Sequence, residues 1–256
     1  MRILVTNDDG IDATGLSACV AALAGHEVFV VAPDREQSAT SAQLTIRRAI
    51  AYRQTSLAGA SFAFTCDGSP VDCAKLALGK LLPWHPDLLI SGCNEGLNVG
   101  YDVFYSGTVA AAMEGIFVGV PSMAVSLARP VSSSVANALR VLPALVAAAA
   151  AWSGAGKYLL NVNIPVDTNP PVVITRHGAA AYRYWYESDI KDDAGFCWLR
   201  GEYLEGPGHD SDAHNVGAGC VSISLLRPSW CSFPFDARPC IADLCERLVE
   251  LEKQTK

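Results

Sequence analysis

Charge is scarce in this chain, and positive charge is the scarcer sign. Only 18% of the 256 residues are charged, and 19 Lys and Arg against 26 Asp and Glu leave a formal net charge of −7. A basic surface for a nucleic-acid polymer is therefore not expected. A small anion can still bind where a metal ion supplies positive charge locally. No CxxC occurs among the nine cysteines, which are scattered at positions 19, 66, 73, 93, 197, 220, 231, 240 and 245. That spacing excludes a zinc ribbon and reads as reduced thiols in a cytoplasmic protein. No leader-like segment precedes the first strand-like run. The Ala-rich stretch 135–152 is interrupted by Arg140 and Pro143, so it reads as a packed helix, and no membrane partner is expected. Repeats and low-complexity linkers are also absent. With half of its residues apolar, the chain can bury a large core.

The apolar residues are arranged as α/β. Ile3-Leu4-Val5-Thr6 has no polar alternation, as in a strand covered on both faces. Leu16, Cys19, Val20 and Leu23 then fall on one helical face, Gly25 can end that helix, and residues 28–32 form a second strand stopped by Pro33. The unit recurs with a helix over 71–82, a strand at 88–91 and a Gly/Asn loop over 92–107. A helix face at Val109, Ala112, Met113 and Ile116 follows, then a strand over 122–127 and a helix over 135–151. The pattern predicts a doubly wound, mostly parallel Rossmann-like sheet over residues 1–165. Residues 166–256 form an extension with an aromatic β-hairpin arm (182–186 and 196–203), a strand at 221–225 and a closing helix. The apolar face of that helix is Ile241, Leu244, Cys245, Leu248 and Leu251.

Ligands of such sheets bind beyond the carboxyl ends of the strands. Three oxygen-rich loops leave those ends. They are Asn7-Asp8-Asp9-Gly10, the stretch from Pro33 to Ser41, and the stretch from Ser91 to Gly100. Adjacent carboxylates repel each other, and a hard divalent cation relieves the repulsion. Asp-Asp-Gly is also the composition of a plain turn. Tyr105-Ser106-Gly107-Thr108 opens a helix, whose free N–H groups suit a phosphate and whose Ser also suits an ordinary N-cap. No Walker lysine follows the glycines, which excludes a nucleotide P-loop.

Taken in order, these segments resemble the SurE family, the stationary-phase survival proteins, which are metal-dependent 5′-nucleotidases acting on nucleoside monophosphates. The matching stretches are Ile3-Leu4-Val5-Thr6-Asn7-Asp8-Asp9-Gly10-Ile11, Val31-Ala32-Pro33-Asp34-Arg35 with Ser38, and Gly68-Ser69-Pro70-Val71-Asp72-Cys73. They continue through Ser91-Gly92-Cys93-Asn94, Asn98, Gly100 and Asp102 to Tyr105-Ser106-Gly107-Thr108-Val109 and onward to Gly115. Weaker echoes run through Asn161-Val162-Asn163, Thr175-Arg176 and Asp212.

The resemblance implies one divalent metal ion (Mg, Mn or Ca) on Asp8, Asp9, Ser38 and Asn94, with Asp8 and Asp9 catalytic. It implies a phosphate pocket of Asn94, Asn98, Ser106, Gly107 and Thr108. It also implies a homodimer or homotetramer built through the C-terminal arm. The expected substrate is a nucleoside 5′-monophosphate, with 3′-nucleotides or polyphosphate as extensions. The sequence departs from the family's pattern at His177-Gly178-Ala179, at Cys220 and at Leu225, away from these positions.

The rival phosphatase class uses an aspartyl nucleophile, with two Asp spaced by one residue. Here the two are adjacent. A pathway-specific phosphatase acting on another phosphorylated metabolite, and a nucleotide-binding regulator without turnover, are the remaining alternatives. His177, His209 and His214 fall outside the matched core.

Overall fold

A computed structural model describes residues 1–152, 154–179, 181–191, 194–204 and 208–227. The predicted closing helix lies outside the described residues. The described elements run β1 (Arg2–Thr6), α1 (Thr14–Ala22), β2 (Glu27–Pro33), β3 (Tyr52–Thr55), β4 (Phe62–Cys66) and α2 (Pro70–Leu76), which continues as a π turn (Ala77–Leu81). After β5 (Leu88–Glu95) and a 3-10 turn (Gly100–Phe104) come α3 (Gly107–Phe117), β6 (Ser122–Leu127), α4 (Ser132–Ala151) and β7 (Leu159–Ile164). β8 (Val172–Thr175), β9 (Ala181–Lys191), β10 (Ala194–Leu204), α5 (Asp212–Gly217) and β11 (Val221–Leu226) complete the set.

Nine strands form one sheet in the order β3-β4-β2-β1-β5-β6-β7-β11-β8, while β9 and β10 pair separately. From β4 to β7 every neighbour is parallel, and the antiparallel pairs are β3 with β4 and β7 with β11. The chain winds outward from β1 to β2, then returns to place β5 on the other side of β1. The switch point of the winding therefore lies between the carboxyl ends of β1 and β5, where a crevice opens.

The two faces are covered as the buried runs require. Ile3, Val5, Val30 and Ile90 point toward Leu16 and Cys19 of α1 and Val141, Leu142 and Val146 of α4. Leu4, Val31 and Leu89 point toward Cys73 and Ala74 of α2 and Val109, Ala112 and Ile116 of α3. Burying each large apolar side chain contributes roughly 1.5–3 kcal/mol, so the alternation along β1 fixes its register firmly. Helix α4 has the length and apolar composition to cross a bilayer over Ser132–Ala149. Its Ala138, Val141, Leu142, Val146 and Ala149 belong instead to the core.

Close approach of α1 to the end of β5 depends on Gly15. A Cβ there would lie 1.9 Å from the carbonyl oxygen of Cys93, the residue before Asn94. Gly79, in the π turn, has nothing within 4 Å of such an atom. In a generic helix Gly→Ala stabilises by about 1 kcal/mol. Gly15→Ala is expected to destabilise by about 1–3 kcal/mol through overpacking. Gly79→Ala is expected to be neutral or mildly stabilising. Urea unfolding midpoints of the two variants check this contrast, and a stabilised Gly15→Ala would contradict the packing.

Candidate functional site

Three loops meet at the crevice because backbone hydrogen bonds tie them together. The N–H of Gln37 donates to the carbonyl of Asp8 at 2.7 Å, and that of Ser41 donates to the carbonyl of Tyr105 at 3.1 Å. The N–H of Glu95 donates to Asp9 Oδ2 at 2.9 Å, which draws the third loop onto the first. In β5 the pairing with β6 shifts register between Ser91 and Asn94, a bulge of the kind that re-aims a side chain at a sheet end. Gly92 makes this bend possible. Its φ is +135°, and a Cβ there would meet the Val125 carbonyl oxygen at 2.2 Å.

The result is a cavity of about 1030 Å³. Asp8, Asp9, Ser38, Asn94, Asn98 and Ser106 all line it. Gly107 and Thr108 do not. They lie behind Asp8, where the Thr108 N–H donates to Asp8 Oδ2 at 3.0 Å and the Thr108 hydroxyl donates to Oδ1. A Cβ on Gly107 would sit 3.1 Å from the Asp8 side chain and 3.0 Å from Pro70, so glycine lets α3 come this close. Ser106 caps α3, its hydroxyl accepting from the Val109 N–H at 3.1 Å.

The remaining expected residues are held with their oxygens available. Asn94 lines the cavity and spends one amide N–H on the Gly96 carbonyl at 2.8 Å. Asn98 is fixed by buried polar groups of the neighbouring strands. Its amide donates to Ser126 Oγ at 2.8 Å and its N–H to Asn163 Oδ1 at 2.8 Å, while its carbonyl accepts from Asn161 and Asn163. Ser38 Oγ donates to Glu36 at 2.5 Å.

Sequence reading missed part of this wall. Asp12, Glu36, Glu95 and Asp102 line the same cavity, so six carboxylates face it, and among the described residues none that lines it is Lys, Arg or His. Their signal was present in the acidic loops but had no distinctive spacing. Burial raises Asp8, against the opposing bonds from Thr108. Burial, then the charge of Asp8, pushes Asp9 up to about 7. Two carboxylates so unfavourably placed call for a cation. The donors at hand, two carboxylates, a hydroxyl and an amide oxygen, are hard oxygen ligands suited to Mg²⁺, Mn²⁺ or Ca²⁺. Among the described residues no group of three His, Cys, Asp or Glu gathers as a metal site, so Ser38 and Asn94 are needed to complete one. His177 lies 3.4 Å from the buried Asp212, and the rings of His209 and His214 meet edge to face; none of the three lines the cavity.

Comparison with known proteins finds relatives over most of the chain. Residues 3–184 match the family model described as "Survival protein SurE". A 5′-nucleotidase SurE of Desulforudis audaxviator is 43% identical over 227 residues, covering 85% of this chain and 87% of the relative. One of Thermosynechococcus vestitus is 38% identical, with 97% of each chain covered. The crystal structure of the SurE protein from Aquifex aeolicus superposes with a TM-score of 0.81 at 31% identity, covering 95% of this chain and 99% of that one.

Burial, reinforced by the charge of Asp212, pushes Asp102 up to about 6 from an ordinary 3.8. A carboxyl raised on folding favours the fold while protonated and disfavours it once ionised. The stability gained by Asp102→Asn over the wild type should therefore grow as pH rises from about 4 to about 6, then level off. Thermal melts of both proteins in EDTA across that range check it. A difference that does not change with pH would contradict the assignment.

Proposed function

The chain belongs to the survival protein SurE family, and from that premise we propose that it is a metal-dependent 5′-nucleotidase, hydrolysing nucleoside monophosphates to nucleoside and phosphate. The carrying observation is the pair Asp8–Asp9, two of six carboxylates in a cavity with no cationic side chain among the described residues that line it. The relatives named 5′-nucleotidase SurE support the same reading.

On this reading Asp8, Asp9, Ser38 and Asn94 hold one divalent cation. When bound, that ion polarises a phosphoryl oxygen and lowers the pKa of a water toward about 7. Asp8 is the better placed carboxylate to orient the attacking water and take its proton. Thr108 fixes both of its oxygens, yet each keeps a lone pair. Asp9, tied at Oδ2 by the Glu95 N–H, serves as the second ligand. Asn94, Asn98 and Ser106 hold the phosphoryl oxygens on which charge builds, and Gly107 admits the helix end to that pocket. Thr108 acts through Asp8. The free thiols of Cys19, Cys66, Cys73 and Cys93 support a reducing, cytoplasmic setting. The exposed Trp185 and Trp198 of the hairpin support assembly as a homodimer or homotetramer through the C-terminal arm.

Asp9→Ala should abolish phosphate release from a nucleotide panel while circular dichroism stays that of the wild type. Mn²⁺ or Mg²⁺ should restore, and EDTA remove, the activity of the unaltered protein. Full activity of Asp9→Ala in EDTA would overturn the proposal, and tight nucleotide binding without turnover would favour a regulator. Thr108→Val keeps the backbone donor to Asp8 and loses the hydroxyl. Loss of one hydrogen bond to a charged group, worth about 1.5–3 kcal/mol, predicts a fall in kcat/KM of roughly 10- to 100-fold. Steady-state kinetics at saturating metal checks it.

A further inference from the structure

The cavity has a second wall of different chemistry. Besides the carboxylates it is lined by Tyr184, Tyr186 and Leu199, from the β9–β10 hairpin. We propose that this face of the hairpin is the nucleobase subsite, with Tyr186 and Leu199 as the contact pair and Tyr184 beside them. The proposal rests on the 5′-nucleotidase reading and adds what that reading lacks, the group that recognises the leaving nucleoside.

The pairing register separates the two faces of the hairpin. Tyr186 stands directly across from Leu199, Tyr184 across from Gly201, and Ser188 across from Cys197. Residues facing each other across an antiparallel pair lie on one side of the ribbon, so this side carries no charge. The other side holds the ion pairs Arg183–Glu202 and Glu187–Arg200. The neutral side is the one turned to the cavity. Tyr186 and Leu199 are 68% and 56% exposed, so the surfaces of this pair are open to a ligand and not consumed by packing within the hairpin. Gly201 has no side chain to cover the position beside Tyr184.

The hairpin is also placed relative to the phosphate end. β9 packs against the 3-10 turn Gly100–Phe104, the segment that joins Asn98 to Ser106. One cavity thus has an acidic wall, which a cation makes fit for one phosphate, and a neutral wall of two phenols and a leucine. A nucleoside monophosphate has the matching halves, a charged phosphoryl group and a flat base with apolar faces. Aromatic side chains stack on such faces with little dependence on base identity. Among the described residues that line the cavity there is no Lys, Arg or His to pair with further phosphates, which favours an uncharged leaving group.

The test compares adenosine 5′-monophosphate with ribose 5-phosphate, which has the same phosphate and sugar but no base, at saturating Mn²⁺. The ratio of their kcat/KM values should fall about tenfold or more in Tyr186→Ala, a loss carried by KM for the nucleotide. Tyr186→Phe, which keeps the ring, should preserve the ratio. Glu187→Gln, on the charged side, should preserve it too. Equal losses on both substrates, or an unchanged ratio in both Tyr186→Ala and Leu199→Ser, would overturn the subsite. Adenosine binding by calorimetry gives a second readout. Weaker binding to Tyr186→Ala supports the subsite, and equal binding overturns it, whether or not the wild type releases phosphate. No phosphate release by the wild type from any nucleotide with metal would instead overturn the underlying reading.

Discussion

The carboxylate of Asp8 is buried at the end of β1 and takes both of its side-chain donors from Thr108, one hundred positions further along the chain. An ionised carboxylate in such a place costs several kcal/mol unless it is hydrogen-bonded or paired. The first turn of α3 offers unused N–H groups and a positive dipole end, which is the cheapest compensation a protein can make from its backbone. Much of the local architecture follows from that contact. Gly107 has to be small for α3 to approach, Pro70 packs against it, and Ser106 caps the same turn. The β1–β5 pairing then brings the other loops to the same point.

How much of this was legible in the sequence depends on whether the signal was local. Strands covered on both faces announce themselves as short apolar runs, and β1, β2 and β6 appear where those runs lie. The helix faces of α1 and α3 were equally plain, since Leu16, Cys19, Val20 and Leu23 are all buried. β3 was not legible, because Tyr-Arg-Gln-Thr is an exposed edge strand defined by its antiparallel partner and not by its own pattern. β7 was obscured for the opposite reason. Its Asn161 and Asn163 look like loop residues, yet they are fully buried and bind the backbone of Asn98. β8 and β11 join the main sheet beyond β7, a placement set by pairing between segments distant in sequence. The hairpin was foreseen from its aromatic content, but each strand runs to eleven residues, longer than the aromatic runs alone.

Within the site, the loops named their own residues and the partners stayed hidden. Asp8, Asp9, Ser38, Asn94, Asn98 and Ser106 were visible because each sits in an oxygen-rich loop at a strand end, and the structure gathers all six around one cavity. Thr108 looked like a phosphate ligand because a helix start is a general anion site. Its donors face Asp8, and that orientation is a property of three-dimensional packing which no spacing encodes. Tyr184, Tyr186 and Leu199 could not be placed at all from sequence, since their side of the ribbon is defined by register across a turn.

The acidic wall turns an apparent defect into a condition on binding. A bare phosphate approaching the six carboxylates meets repulsion, and a bare cation meets carboxylates that burial has driven toward protonation. On the proposed reading each ligand relieves the penalty faced by the other. Coupling of this kind is reciprocal, so phosphate must tighten the cation by the same factor that the cation tightens phosphate. A chain of net charge −7 can thus recognise an anion with no basic residue among the described residues of the pocket. The cost is that recognition of the phosphate carries no information about what it is attached to. Any such information has to come from the neutral wall, where no ion is needed and contact is set by the flat faces of the ligand.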